Sequence, residues 1–287
     1  MTIDEVMTSP TTVVMGILNV TPDSFSDGGR WAQVDEALDR AQVLIDQGAH
    51  VIDVGGESTR PGSTRITSGE ELNRIREVVR ALVADGRIVS VDTVNSRTAR
   101  EVADLGVDII NDVSGGCWDP QMISTVADTG VHVIVQHWRG FPGTDGERLM
   151  DVDGVVNTML DELSTQVARF IDAGVDPQRI ITDPGLGFGK NETASWRVLT
   201  AVDRLRALGY PVLIGASRKR MTKSLVDMAD PLIPDRSTIA VDSDEVSAAI
   251  TALVASRGVW AVRVHEPRAH LAAIRAATCW RKECARI

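Results

Sequence analysis

Eight short runs rich in β-branched residues recur along this chain of 287 residues, and a longer segment of helical period separates each run from the next. The runs are Val13 to Leu18, His50 to Val54, Ile88 to Val91, Asp108 to Ile110, His132 to Val135, Arg179 to Thr182, Val212 to Ile214 and Trp260 to Val264. A strand that re-enters a sheet in the same direction needs a long crossover, so regular strand–helix alternation points to parallel strands with helices packed outside them. Glycines at Gly48, Gly106, Gly130, Gly174, Gly209 and Gly258 mark the turns before the runs and suit helix C-termini. Between the runs, Val34, Ala37, Leu38, Ala41 and Leu44 share one helical face, as do Leu72, Ile75, Val78, Val79 and Leu82.

Eight such units fit one closed (β/α)8 barrel of parallel strands, the TIM-barrel arrangement. The strands read as apolar runs without alternation, as strands covered by helices do. A doubly wound open sheet is the alternative. It would show a phosphate-binding glycine turn after its first strand, and Asn19 to Asp23 is not one. No linker or composition break divides the chain, so residues 13–287 read as one barrel domain and residues 1–12 as a loose N-terminal extension.

A formal charge of −10 disfavours wrapping of nucleic acid and docking on an anionic membrane, since both need a concentrated basic face. The first twelve residues carry Asp4 and Glu5 but no Lys or Arg, and no apolar run is long enough for a signal peptide or membrane span. A cytoplasmic protein is expected. Cys117, Cys279 and Cys284 are too few and too unevenly spaced for a disulfide framework or a tetrahedral metal set.

In such a barrel, function collects on the loops leaving the C-terminal strand ends, so those junctions form one roll of candidates. The first run delivers Asn19 into a long polar loop ending DSFSDGG. The second delivers GGESTRPG with Glu57, Thr59 and Arg60, the third Asp92, and the fourth Asn111 and Asp112. Later runs end in Gln136 and His137, in Asp183 followed by PGLGFGK, in GASRKR with Ser217 and Lys219, and in Arg263 and His265. Each has a bland reading alone, Ser217 as a helix cap or Asp183 as a turn former, but together they suit a small polyfunctional ligand. GLGFGK is not a Walker sequence, because Asn191 follows Lys190 and Pro184 stands where the first glycine would be.

MGILNVTPDSFSDGG, IDVGGESTRPG, SVDT, IINDVSGG, DPGLGFGK, GASRKR and RVHE, in that order, closely resemble the dihydropteroate synthase family. The resemblance runs from about Val13 to the final helix. It implies condensation of 6-hydroxymethyl-7,8-dihydropterin pyrophosphate with p-aminobenzoate, giving 7,8-dihydropteroate and pyrophosphate through an ionised pterin methylene. It assigns Asp92, Asn111, Asp183 and Lys219 to the pterin, whose flat edge of ring nitrogens, amine and carbonyl calls for carboxylate, amide and cationic partners. Gln136 is counted with them. Asn19, Arg263 and His265 are implied around pyrophosphate, with Mg²⁺ on Asn19.

Phe25, Thr59, Pro61, Phe188, Lys190 and Ser217 match positions near p-aminobenzoate, and Asp27 and Arg60, with Lys219, are implied in catalysis. Phe25, Ser26 and Asp27 and Thr59, Arg60 and Pro61 lie on loops that close over the reaction in the family. Competitive inhibition by sulfonamides and a homodimer through outer helices are further implications. Two departures stand out. Gln136 replaces an apolar residue, often methionine, and Asp242 to Ala249 lacks the Arg and Thr or Gly common at the start of that helix, which implies altered structure around the seventh loop. A pterin-dependent methyltransferase of the same barrel type and a non-catalytic pterin-binding paralogue remain as alternatives.

Overall fold

The computed structural model describes residues 1–21, 29–57, 65–226 and 242–286. Strands β1 (Val13–Asn19), β2 (Val51–Gly55), β3 (Val89–Asp92), β4 (Ile109–Asp112), β5 (His132–Gln136), β6 (Ile180–Asp183), β7 (Leu213–Ile214) and β8 (Ala261–Val264) form one parallel sheet. Their order is β6-β5-β4-β3-β2-β1-β8-β7. The β6–β7 seam is held by a bridge between Thr182 and Val212 and by the Thr182 amide donating to the Pro211 carbonyl at 2.8 Å, which leaves the barrel nearly closed. The expected (β/α)8 barrel is therefore present.

Crossover helices follow the strands: α2 (Gly29–Asp46), α3 (Ser68–Ala84), α4 (Ser96–Asp104), α5 (Met122–Thr129), α6 (Val155–Asp172), α7 (Glu192–Thr200), α8 (Val202–Arg206), α9 (Arg220–Val226), α10 (Ser243–Ser256) and α11 (Pro267–Cys284). Local chemistry starts and stops them. Thr67 caps α3 by accepting from the Glu70 amide, Asn191 caps α7 by accepting from the Ala194 amide, and Gly130 ends α5 in the left-handed region at φ 69°. Leu72, Ile75, Val78, Val79 and Leu82 of α3 are all buried, as their spacing predicts.

Successive strand residues face opposite sides, which sorts every strand into two sets. Val14, Ile52, Val54, Val89, Val91, Ile110, Val133, Val135, Ile180, Val212 and Val262 face outward into one apolar cluster with the helices. Val13, Met15, Val51, Ile109, Ile134, Ile181, Leu213 and Ala261 point inward at the N-terminal end of the barrel and form a separate cluster there. Apart from Ser90 on β3 and His132 on β5, the lower half of the strands is thus apolar on both faces, and beyond it the inner face turns polar on every strand but β7.

Residues 1–12 are not the loose extension expected from sequence. Helix α1 (Ile3–Met7) is closed by a capping box between Thr2 and Glu5, and it presses Val6, 2% exposed, into the inward-facing apolar cluster. The Trp260 indole donates to the Val6 carbonyl at 3.1 Å, and the Thr12 hydroxyl donates to the Val259 carbonyl at 2.9 Å. The ring of Val, Ile and Leu at this end would otherwise face water, at a cost of roughly 1.5–3 kcal/mol for each large side chain left exposed.

Candidate active site

Counting upward by two from the bottom cluster places Asp53 on β2, Asp92 on β3, Asn111 on β4, Gln136 on β5, Asp183 on β6 and Arg263 on β8 inside the barrel. Asn19 ends β1 on the same parity. Arg263 joins two of the acids: its Nε lies 2.5 Å from Asp53 Oδ2 and one terminal nitrogen 2.7 Å from Asp92 Oδ2. Asn111 donates to Asp53 Oδ2 at 3.2 Å. Burial opposes the Arg263 cation, but Asp53 and then Asp92 outweigh it and hold its pKa above the ordinary value. Burial pushes Asp92 up to about 7 against the pull of Arg263.

Gly215, just beyond β7, leaves the space in which a second charged group converges. A β-carbon there would sit 3.8 Å from Asp183 Oδ2, 3.8 Å from Lys219 Nζ and 3.9 Å from the Arg263 β-carbon. Asp183 also accepts from the Gly185 amide at 2.7 Å, and Lys219 donates to the Leu186 carbonyl at 2.6 Å. Burial raises the Asp183 pKa, with Lys219 as the leading opposing influence, and burial lowers Lys219 to about 8 against Asp183. Asp92, Asn111, Asp183, Lys219 and Arg263 therefore converge on one floor at the C-terminal end of the barrel interior. It offers anionic and amide acceptors on one side and cationic donors on the other, a set suited to a flat heterocycle that carries an anion.

Gln136 is buried beside this floor, and its side-chain amide donates to the Val113 carbonyl at 3.0 Å. The departure from an apolar residue thus brings its own partner, and the donor does not depend on a ligand. Ser217 and His265, implied for different substrates, bond to each other, Oγ to Nδ1, at 2.9 Å. Asn19 Oδ1 and the Asp92 β-carbon lie 3.8 and 3.7 Å from the place a β-carbon would take on Gly55, so that glycine keeps the space beside Asn19 open.

Phe188 and Lys190 lie on the loop after β6, but they face different surroundings. Lys219 Nζ stands 5.4 Å from the centre of the Phe188 ring. Lys190, only 4% exposed, is turned to the back of the loop, where His137 and the carbonyls of Gly185 and Phe188 surround it. Phe25, Ser26, Asp27, Thr59, Arg60 and Pro61 lie outside the described residues. The stem that follows the second loop is anchored: Glu57 accepts from the Ile66 amide at 3.0 Å and pairs with Arg65 at 3.1 Å. The Arg65 guanidinium in turn lies 4.4 Å from the Phe141 ring centre.

Around the seventh loop, Arg218 takes φ 56°, a left-handed conformation found in no other non-glycine among the described residues. Asp244 holds its guanidinium at 2.7 Å, and α10 begins with a capping box between Asp242 and Glu245. The unusual DSDE start of that helix therefore supplies both the cap and the carboxylate that steadies the turn between Ser217 and Lys219. Two residues were not singled out from sequence. Asp53, fully buried in the middle of an apolar run, carries its own signal, because a carboxylate at such a place needs a partner. Glu162, on a helix face, carries none. Asp112, read as a site candidate, instead accepts from the Ser114 and Gly116 amides and shapes the turn after β4.

Among the described residues no three His, Cys, Asp or Glu side chains gather to hold a metal. Asn19 offers one hard amide oxygen beside an open space. That fits Mg²⁺, which takes one or two protein oxygens and completes its shell with phosphate and water.

The family described as pterin binding enzyme matches residues 15–265 of the chain. A dihydropteroate synthase of Mycobacterium leprae is 42% identical over 269 residues, covering 93% of each chain. A Xanthomonas albilineans dihydropteroate synthase solved with 4-aminobenzoic acid superposes with a TM-score of 0.82 at 36% identity, over 96% of this chain and 94% of that one. The same protein in complex with 7,8-dihydropteroate gives a TM-score of 0.78 at 33% identity, over 96% and 95%.

Proposed function

The chain belongs to the family of pterin binding enzymes and is a dihydropteroate synthase, and on that premise we propose how its strand-end residues share the work. The enzyme joins the methylene of 6-hydroxymethyl-7,8-dihydropterin pyrophosphate to the amine of p-aminobenzoate and releases pyrophosphate. The observation that carries our assignment is the convergence of Asp183, Lys219 and Arg263 on the gap left by Gly215, above Asp92 and Asn111. Asp183 and Asp92 accept from the amine and ring N–H groups of the pterin. Asn111 reads its edge, and Lys219 donates to the carbonyl and ring nitrogen. Gln136 walls the pocket.

Arg263 and His265 take the pyrophosphate, and Asn19 gives its oxygen to Mg²⁺. When bound, Mg²⁺ neutralises charge on the departing phosphate oxygens. The C–O bond of the pterin methylene breaks with its electron pair leaving on pyrophosphate, and the dihydropterin ring stabilises the resulting cation. The arylamine nitrogen then forms the new C–N bond and releases a proton. No protein nucleophile is needed. Phe25, Thr59, Pro61, Phe188 and Ser217 form the arylamine side, while Asp27 and Arg60 act on the closing loops. Closure keeps out water, which competes with the amine for the cation.

No described helix is long and apolar enough to cross a membrane, and a cytoplasmic location accords with the biosynthetic role. Leu253 on α10 and Trp280 on α11, 63% and 69% exposed, support the homodimer through outer helices. The test is purified protein with Mg²⁺ and both substrates, scored for dihydropteroate and pyrophosphate. Equal yields of the two are expected, with sulfonamides competing against p-aminobenzoate. Pterin binding without product would overturn the assignment in favour of a paralogue that only binds.

A further inference from the structure

An ammonium group has three hydrogens to place. Lys190 places all three inside the protein, with His137 Nδ1 at 2.7 Å, the Gly185 carbonyl at 3.1 Å and the Phe188 carbonyl at 3.1 Å. To accept from Lys190, the imidazole must keep its lone pair on Nδ1 and its hydrogen on Nε2. That nitrogen faces Glu162 Oε2 at 2.9 Å. Glu162 is fixed by Arg139, whose Nε lies 2.8 Å from the same oxygen and whose terminal nitrogen pairs with the other. A line of contacts thus runs from the partly exposed ion pair between Glu162 on α6 and Arg139 after β5, through fully buried His137, to the back of the loop that carries Phe188.

We propose that Lys190, His137 and Glu162 are positioning residues for the arylamine substrate: Glu162 selects the His137 tautomer, and Lys190 uses it to pin the 185–188 backbone so that Phe188 forms the wall of the p-aminobenzoate side. Lys190 then acts on the substrate through the loop and does not touch it, which replaces the direct contact that family likeness implies for this lysine. The 185–188 turn also carries the Phe188 amide donating to the Gly185 carbonyl at 3.0 Å and the Gly187 amide donating to Ser195 Oγ at 3.2 Å, and on its far side the Gly189 amide donates to Glu147 at 3.2 Å and the Met150 amide to the Gly189 carbonyl at 2.8 Å. Without Lys190, the carbonyls of Gly185 and Phe188 lose a shared donor and their link to His137, which frees the Phe188 end of the turn to shift.

This inference rests on the synthase reading, and the two fail differently. Failure of that reading leaves the wild type without product, whereas failure of the inference leaves wild-type turnover intact and appears only in the variants. Steady-state kinetics of Glu162→Leu, Glu162→Gln, His137→Gln and Lys190→Met decide it, with thermal melting as the folding control. Lys190→Met and Glu162→Leu are expected to raise KM for p-aminobenzoate about tenfold or more, while KM for the pterin substrate moves less than about threefold. Glu162→Gln, which keeps an acceptor for Nε2–H, should stay within about threefold of wild type.

A KM for p-aminobenzoate that rises in Lys190→Met but stays at the wild-type value in Glu162→Leu and His137→Gln would overturn the proposal and restore direct contact by Lys190. Nitrogen-15 NMR of the His137 ring, assigned against His137→Gln, supplies a readout free of activity. The Nε2–H tautomer supports the chain, and an Nδ1–H tautomer or an imidazolium at neutral pH overturns it.

Discussion

Replacing Arg263 by Met removes the counter-ion of two acids at once, and its effect should depend on pH in a definite direction. Asp53 is 0% exposed and Asp92 8%, so neither carboxylate can be rescued by solvent. Removing one member of a buried pair costs about 3–5 kcal/mol. Arg263 is the strongest influence holding the Asp92 pKa down, and even so burial keeps it at about 7 against a reference of 3.8. In the variant the folded-state pKa climbs further. A carboxyl with a raised folded pKa binds more protons folded than unfolded, so stability is greatest below about pH 4 and falls as pH rises through the window up to the folded value. The window extends upward in Arg263→Met.

Asp53 loses its partner at both pH values, so a loss relative to wild type is present near pH 5, where Asp92 is protonated in both proteins, and it grows to about 3–5 kcal/mol at pH 8, where the Asp92 pair is lost as well. For a chain of this size that corresponds to roughly 6–20 °C in melting temperature. Urea unfolding at the two pH values measures it, and Arg263→Met/Asp92→Asn should recover the part of the pH 8 loss that exceeds the pH 5 loss, by removing the ionisable group at position 92. An equal loss at pH 5 and pH 8, or a double variant no more stable than Arg263→Met, would refute the part assigned to Asp92 and leave only the Asp53 pair and lost packing.

Two further outcomes are expected. Deleting residues 1–8 removes the buried Val6 side chain and the acceptor of the Trp260 indole, so stability should fall by about 3–5 kcal/mol in urea unfolding, with KM for both substrates unchanged. In Gly185→Ala a β-carbon would stand 2.0 Å from the His137 carbonyl oxygen at φ +64°, so a loss above about 4 kcal/mol or failure to fold is expected, whereas Gly86→Ala, with nothing within 4 Å at φ +69°, should cost about 1 kcal/mol in thermal melting.

The barrel was legible because its signal is repeated: each apolar run is short, each crossover is amphipathic, and one misplaced boundary leaves the others standing. The runs read from sequence stop short of the observed strand ends at Asn19, Asp92, Gln136 and Asp183, because polar residues lower the local β signal where strands enter the site. Parity recovers them. Asp53 is not marked by the strand-end pattern, because it lies one inward step below Gly55, and its only sequence signal is an acid within an apolar run. Helix α1 has five residues, too few to show a period, and only the Thr2–Glu5 pair followed by Val6 betrays it. The Lys190–His137–Glu162 chain joins positions far apart in sequence, and no local pattern encodes such a meeting.

The two ends of the barrel interior are chemically independent. Below, Val6, Met15, Ile134 and Leu213 form a dry cork. Above, Asp92, Asn111, Asp183 and Arg263 form a polar layer joined by ion pairs and hydrogen bonds. In many enzymes rigidity gained near the reacting groups is lost as turnover. Here an engineer seeking heat resistance can repack the cork and its short N-terminal helix without altering the chemistry at the opposite rim.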